Sequence, residues 1–332
     1  LATYSQMPYA KSDMNGGQKL RHLVIGAGAS IAQAIDSKVP RESWPPTMAN
    51  FAQKTWKNSP FPFLALFLQS KSIDVPESRD AREIFYELEA NGESNIEEFM
   101  EFAWQIQDRL PAAQEGLSWW DNMMRYSVGD PFALLINQAF WKDGLGFVDL
   151  PLTRTMLSRF QPEDLVFSLN YDTLIELGLT QNGTPFTYLP NELSVGSIPV
   201  CKPHGSLNMA FGDNWFSFGD PTNLWPMFPT GDDGRAYVGL IPPRMNKSYQ
   251  QVPMAKMILS SVENREPSSI VMWGIGMTGS DIDLNAIYKS WAASSEFVDI
   301  INPDPTIAPK VAEMLGIPTR QFEAAEIWLE ST

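Results

Sequence analysis

The sequence predicts an α/β fold, a doubly wound and mostly parallel sheet with an inserted helical module. Three observations predict it. Short β-branched and apolar runs alternate with stretches whose apolar residues recur every three or four positions. The first of these runs breaks directly into a glycine turn followed by a helix. A long, continuously helical stretch then separates the first run from the second.

Residues 1–20 are polar and small, contain no signal-peptide core, and read as a loosely ordered lead-in. Leu23-Val24-Ile25 is the first strand, Gly26-Ala27-Gly28-Ala29-Ser30 a tight turn, and Ile31, Ala34 and Ile35 mark the helix after it. The proline-rich stretch 39–47 is a loop. Within 51–160, helical spacing runs over 81–90, 96–110, 113–126 and 132–141. Asn95 followed by Glu97 and Glu98 is a helix start, with acidic side chains where the helix dipole favours them. This stretch is the inserted module, and 21–50 with 161–332 form the sheet domain. Strands are expected at 165–169, 186–189, 198–202, 269–274 and 297–301. Helices are expected at 171–179, 255–264, 281–291 and 307–315, and hairpins with a long loop over 207–247.

Composition narrows the function. With 44% hydrophobic and 19% charged residues among 332, the chain has a globular balance and a core large enough to support a deep cleft. Its net charge of −15 (24 Lys and Arg against 39 Asp and Glu) and the lack of a basic stripe argue against direct nucleic-acid binding. A small dinucleotide remains compatible, because backbone N–H groups hold a pyrophosphate without Lys or Arg. The single cysteine, Cys201, permits neither an intrachain disulfide nor a multi-cysteine zinc site, so no metal is expected; it suits a reducing, cytoplasmic setting. No apolar run reaches the roughly 18–20 residues needed to span a bilayer.

Five short motifs then fall at the carboxyl ends of core strands. Gly26-Ala27-Gly28-Ala29-Ser30 sits where a Rossmann-like fold places its dinucleotide turn, with the following helix aiming its positive end at a pyrophosphate. Its third small position is occupied by Ile31, and no acidic residue stands about 20 residues on, so close packing explains these glycines as well as binding does. Asn170-Tyr171-Asp172 follows the second strand, where helix capping is the plainer explanation. His204-Gly205-Ser206 ends another strand. His22, the second of two histidines, lies at the amino end of the first strand, so a histidine base must be His204; a structural histidine is the alternative. Gly274, Gly276 and Gly279 crowd a turn that runs through Thr278 and Ser280 to Asp281, which also serves a plain capped turn. Asn302-Pro303 ends the next strand, where proline alone stops pairing. Packing gives no reason for polar and glycine residues to coincide at five successive strand ends.

In this order the motifs resemble the sirtuin-like (silent information regulator) superfamily. The resemblance rests on Gly26 to Ser30, Asn170 with Asp172, His204-Gly205, Gly276 to Thr278 and Asn302, and it spans about residues 22 to 305. The chain departs from the protein deacylases of that family. It lacks their four-cysteine zinc module, carries Leu169 where they have glutamine, and has Trp44-Pro45-Pro46-Thr47 in place of their Pro-Asp-Phe-Arg loop. Together with Leu240-Ile241-Pro242-Pro243 and the turn ending at Asp281, these departures resemble the bacterial antiphage branch. That resemblance implies an NAD+ hydrolase acting as a homo-oligomer or with a sensor or ATPase partner.

The chemistry suits these residues. Nicotinamide leaves NAD+ as a neutral molecule, so no acid has to protonate it, although the transition state keeps oxocarbenium character. Asn170 is expected to hold a ribose hydroxyl and a water through its amide N–H and C=O. His204 is expected to take a proton from that water or a ribose hydroxyl, and Asp172 to orient Asn170 or its loop. Gly26, Ala27, Gly28 and Ser30, with Gly274, Gly276, Thr278 and Asp281, are expected to bind the phosphates and adenosine ribose, helped by Asn302. The competing readings are a protein deacylase, a non-catalytic sensor of NAD+ or ADP-ribose, and a nicotinamide-dependent dehydrogenase. Trp104, Trp119, Trp120 and Trp141 of the module are expected chiefly as core, with the module as a whole serving assembly.

Overall fold

A computed structural model of the chain describes residues 20–56, 63–106, 128–142, 145–212, 215–224, 237–241, 249, 253–276 and 281–332. In chain order the main sheet comprises β1 (Arg21–Ile25), β2 (Leu165–Ser168), β3 (Phe186–Tyr188), β4 (Ile198–Cys201), β5 (Ser269–Trp273), β6 (Val298–Ile301) and β7 (Thr319–Phe322). Their spatial order is β7-β6-β5-β1-β2-β4-β3, and every pairing is parallel. The fold is therefore Rossmann-like α/β. From β1 the chain builds the sheet outward on one side, then returns at β5 to build the other. The topological switch lies at β1, and a crevice opens there outside the carboxyl ends of the strands.

Helices cover both faces, so the central strands are buried throughout rather than alternating with solvent. Among the described residues α1 (Ala27–Asp36) follows β1. The module contributes α2 (Phe51–Thr55), α3 (Leu64–Ser70), α4 (Ala81–Asn91), α5 (Ile96–Ile106) and α6 (Asp130–Phe140). Then come α7 (Pro151–Leu157), α8 (Leu174–Gln181), α9 (Pro253–Ser260), α10 (Ile282–Ala292), α11 (Ile307–Leu315) and α12 (Ala325–Ser331). The two-residue period of β1 divides the core. Leu23 and Ile25 pack with Met156, Ile175 and Trp328 on one face, while Val24 packs with Ile258, Trp291 and Val311 on the other.

The module has its own aromatic core. Trp56 is fully buried between Phe85 and Phe99, at ring-centroid distances of 5.2 and 5.0 Å. That core reaches Ala34 of α1 and Leu174 and Leu177 of α8, so it seats against the sheet domain. The start of α5 follows the sequence: Asn95 Oδ1 accepts from the Glu98 amide at 3.0 Å. Trp104 and Trp141 correct an expectation, being 39% and 42% exposed; Trp119 and Trp120 lie outside the described residues. The helix α7, grouped by sequence with the module, packs with α1 and α8 on the sheet. Among the described residues no helix is long and apolar enough to cross a membrane.

Candidate active site

Each candidate side chain is placed by the end of a strand. Gly26 follows β1, Leu169 and Asn170 follow β2, His204 lies just past β4, and Gly274 follows β5. A cleft of about 440 Å³ opens across these ends, within the range of small-molecule sites of about 300–1,000 Å³. Asn170, Asp172 and His204 all line it, and so do Gly26, Ala27, Gly28, Ser30, Gly274, Gly276 and Asp281. The imidazole of residue 204 and the amide of residue 170 thus face one cavity.

The Asn170 side chain is fixed by a chain of buried hydrogen bonds. Its Nδ2 donates to the Gly26 carbonyl and to Ser30 Oγ, both at 3.0 Å. Ser30 Oγ in turn donates to Asp172 Oδ2 at 2.7 Å, and Asp172 Oδ1 accepts from the Leu174 amide at 3.1 Å. This use of Asp172 explains why α8 begins at Leu174 rather than at 171. It also corrects the expected chemistry. Both amide hydrogens of Asn170 are spent inside the protein, so only Oδ1 is left to meet a ligand.

His204 is held at both ring nitrogens. Nδ1 lies 2.9 Å from the Leu169 carbonyl, an acceptor only, so Nδ1 carries a proton and Nε2 is the basic nitrogen of the neutral ring. Nε2 is in hydrogen-bond contact with the Tyr249 hydroxyl. Tyr249 Oη also lies 3.3 Å from Asp281 Oδ1, and burial, then the Asp281 charge, pushes its phenol pKa well up. Gly205, with φ of 83°, lets the chain turn beneath the carbonyl of Gly239, where a Cβ would sit 1.8 Å away. That close approach is the structural reason for glycine after His204.

The two glycine turns are packed against one another. Gly274 adopts φ of 65°, and a Cβ there would lie 2.2 Å from the Ala29 amide nitrogen; a Cβ on Gly26 or Gly28 would come within 2.6 or 2.7 Å of Gly274. Close packing therefore accounts for these three. It does not account for Gly276, where a Cβ would meet nothing within 4 Å. In the first turn the amides of Gly26, Gly28 and Ala29 are committed to Trp273, Gly274 and Gly26 carbonyls. Ala27 is exposed to the cleft at the first position of α1, where no intrahelical carbonyl reaches its N–H.

Asn302 is not brought into the cleft. Its Nδ2 donates to the Ile275 carbonyl at 2.9 Å and its Oδ1 accepts from the Asp304 amide at 2.9 Å, so it braces the second turn from behind. Thr278 lies outside the described residues. Residues that the sequence did not assign to the site also line the cleft: Pro45, Pro46 and Met48 of the loop, with Phe51, Glu97 and Phe132 of the module. Phe51 and Phe132 carry no local signal, because the module's fold alone brings them there, whereas Pro45 and Pro46 belong to the Trp44-Pro45-Pro46-Thr47 stretch that the sequence set apart. Among the described residues no group of three or more potential ligands is arranged to hold a metal ion.

No family model and no curated protein matches this chain. Among solved structures, 26 chains match. One is a Sir2 homologue in complex with NAD, 14% identical, with 94% of this chain and 87% of that chain covered and a TM-score of 0.39. Another is a Sir2 homologue variant in complex with ADP-ribose, 15% identical, with 94% and 90% covered and a TM-score of 0.37.

Proposed function

We propose that this chain is an NAD+ glycohydrolase, cleaving the nicotinamide–ribose bond to give nicotinamide and ADP-ribose. The observation that carries the reading is that Asn170 Oδ1 and the His204 imidazole share one cleft at the switch point, beside a helix N-terminus. Ala27 and the start of α1 suit a pyrophosphate, and the open space at Gly276 suits close passage of the dinucleotide.

In this reading Asn170 Oδ1 accepts a hydrogen bond from the attacking water or a ribose hydroxyl. The water oxygen bonds to the anomeric carbon as the N-glycosidic bond breaks, and the bonding pair neutralises the pyridinium nitrogen. The water's proton goes to His204 Nε2, the water taking the place that the Tyr249 hydroxyl holds here. Asp172 acts through Ser30, keeping the Asn170 amide turned so that its oxygen points to the ligand. The same reading makes the chain an effector of a bacterial antiphage system that depletes NAD+ in the cytoplasm, as an oligomer or under a sensor or ATPase partner.

Mass-spectrometric product analysis after incubation with NAD+ tests it. Nicotinamide and ADP-ribose are expected from the wild type, and His204→Ala and Asn170→Ala should each slow their release about 10²-fold or more. Reduced cofactor, or deacylated peptide without ADP-ribose, would replace the reading with a dehydrogenase or a deacylase.

A further inference from the structure

Lys202 ends an otherwise apolar run, Ile198-Pro199-Val200-Cys201, two residues before His204. Its side chain is 0% exposed and its ammonium lies 2.9 Å from Glu176 Oε1 of α8, whose side chain is also 0% exposed. The Glu176 carboxylate is also close enough to the buried Tyr188 hydroxyl to add, after burial, to the rise in that phenol's pKa. The ammonium has a second contact, donating to the backbone carbonyl of Asp172. Neither Lys202 nor Glu176 lines the cleft.

Stability alone does not explain such a pair. Two charges removed from water lose hydration that their attraction barely restores, and an apolar pair of similar volume is commonly as stable or more so. What an apolar pair cannot do is hold the Asp172 carbonyl. That carbonyl belongs to the residue whose carboxylate orients Asn170 through Ser30, at 2.7 and 3.0 Å. The lysine itself is two residues from His204. The ammonium therefore ties the loop after β2 to the loop after β4 at Asp172, beside two further links, His204 Nδ1 to the Leu169 carbonyl and the Leu207 amide to the Tyr171 carbonyl, both at 2.9 Å.

We propose that Lys202 is a positioning residue, a buried clamp that fixes the Asn170–Asp172 loop against the His204 loop, with Glu176 compensating its charge. The consequence for catalysis rests on the NAD+ hydrolase reading; the clamp itself does not. Displacement of a reacting group by about an ångström costs up to about 10²-fold in rate. Removing the clamp should accordingly lower kcat while leaving KM for NAD+ nearly unchanged.

The test pairs K202M/E176M, which removes both charges, with E176Q, which keeps the ammonium on the Asp172 carbonyl. The double variant is expected to melt close to wild type yet lose about 10- to 100-fold in kcat at an unchanged KM. E176Q is expected to melt lower but keep most of its kcat. Wild-type kcat in the double variant, or a loss in E176Q as large as that in the double variant, would overturn the clamp. Amide hydrogen exchange over residues 169–174 reads the clamp without any turnover, and should be at least about tenfold faster in the double variant. Unchanged exchange overturns the clamp, whereas faster exchange in a chain whose wild type releases no nicotinamide overturns only the hydrolase reading.

Discussion

The molecule's two histidines stand at opposite ends of the same sheet. His22, near the amino end of β1, is fully buried and packs edge-on to Trp291 at a centroid distance of 4.5 Å, and neither ring nitrogen has a hydrogen-bond partner among the described residues. His204, beyond the carboxyl end of β4, lines the cleft and has both nitrogens engaged. One imidazole is packed as an aromatic ring, and the other is held by hydrogen bonds at the edge of a cleft. The difference follows from parallel topology. At the amino ends helices and strands close over the core, and at the carboxyl ends the helices diverge around β1 and leave room for a ligand.

The largest effect that would sharpen this contrast is acid destabilisation through His22. Burial, then the Arg265 charge, lowers its pKa from 6.5 to about 3. Between those values the unfolded chain binds a proton that the native chain refuses, so stability is full above about pH 6.5 and falls as the pH drops toward 3. The slope is about 1.4 kcal/mol per unit from this group. Thermal melts across that range should show it, and His22→Leu should flatten it while leaving NAD+ turnover at neutral pH unchanged. A melt of His22→Leu as acid-sensitive as wild type would break the contrast.

A second effect separates packing from binding within the cleft itself. Gly274→Ala forces a Cβ against the Ala29 nitrogen in a left-handed backbone, and should destabilise the fold by more than about 1 kcal/mol. Gly276→Ala meets open space and should leave the melting temperature alone while raising KM about threefold or more, since about 0.6–0.7 kcal/mol of lost ligand contact suffices. Equal effects of the two substitutions would mean that both turns are purely structural. The smallest effect concerns Tyr249. Removing the hydroxyl that covers His204 Nε2 frees the base, and Tyr249→Phe should raise nicotinamide release by up to about tenfold, the worth of one hydrogen bond. A decrease would put Tyr249 on the path of the proton.

Much of this was legible in the sequence because it is local. A β-branched run breaking into glycine, or an asparagine just past a strand, carries its own signal, and strands β1–β6 begin and end within a few residues of their expected places. The last strand, Thr319–Phe322, was not anticipated. It is an edge strand with no fully buried residue, so it needs no apolar run. The direction of the Asn170 amide was also hidden, because it depends on Ser30, distant by 140 residues. Tyr249 carries no local mark at all. Lys202 did carry one, a lysine closing an apolar strand beside His204, and it could have been read.

The central claim is that Asn170 and His204 act on the same ribose, and a double-mutant cycle tests it most directly. Nicotinamide release would be measured for wild type, Asn170→Ala, His204→Ala and the combined variant. Groups that work as a unit are far from additive, so the combined variant should be about as slow as the slower single one. A combined loss equal to the product of the two single losses would mean that the two side chains act independently, contradicting the account.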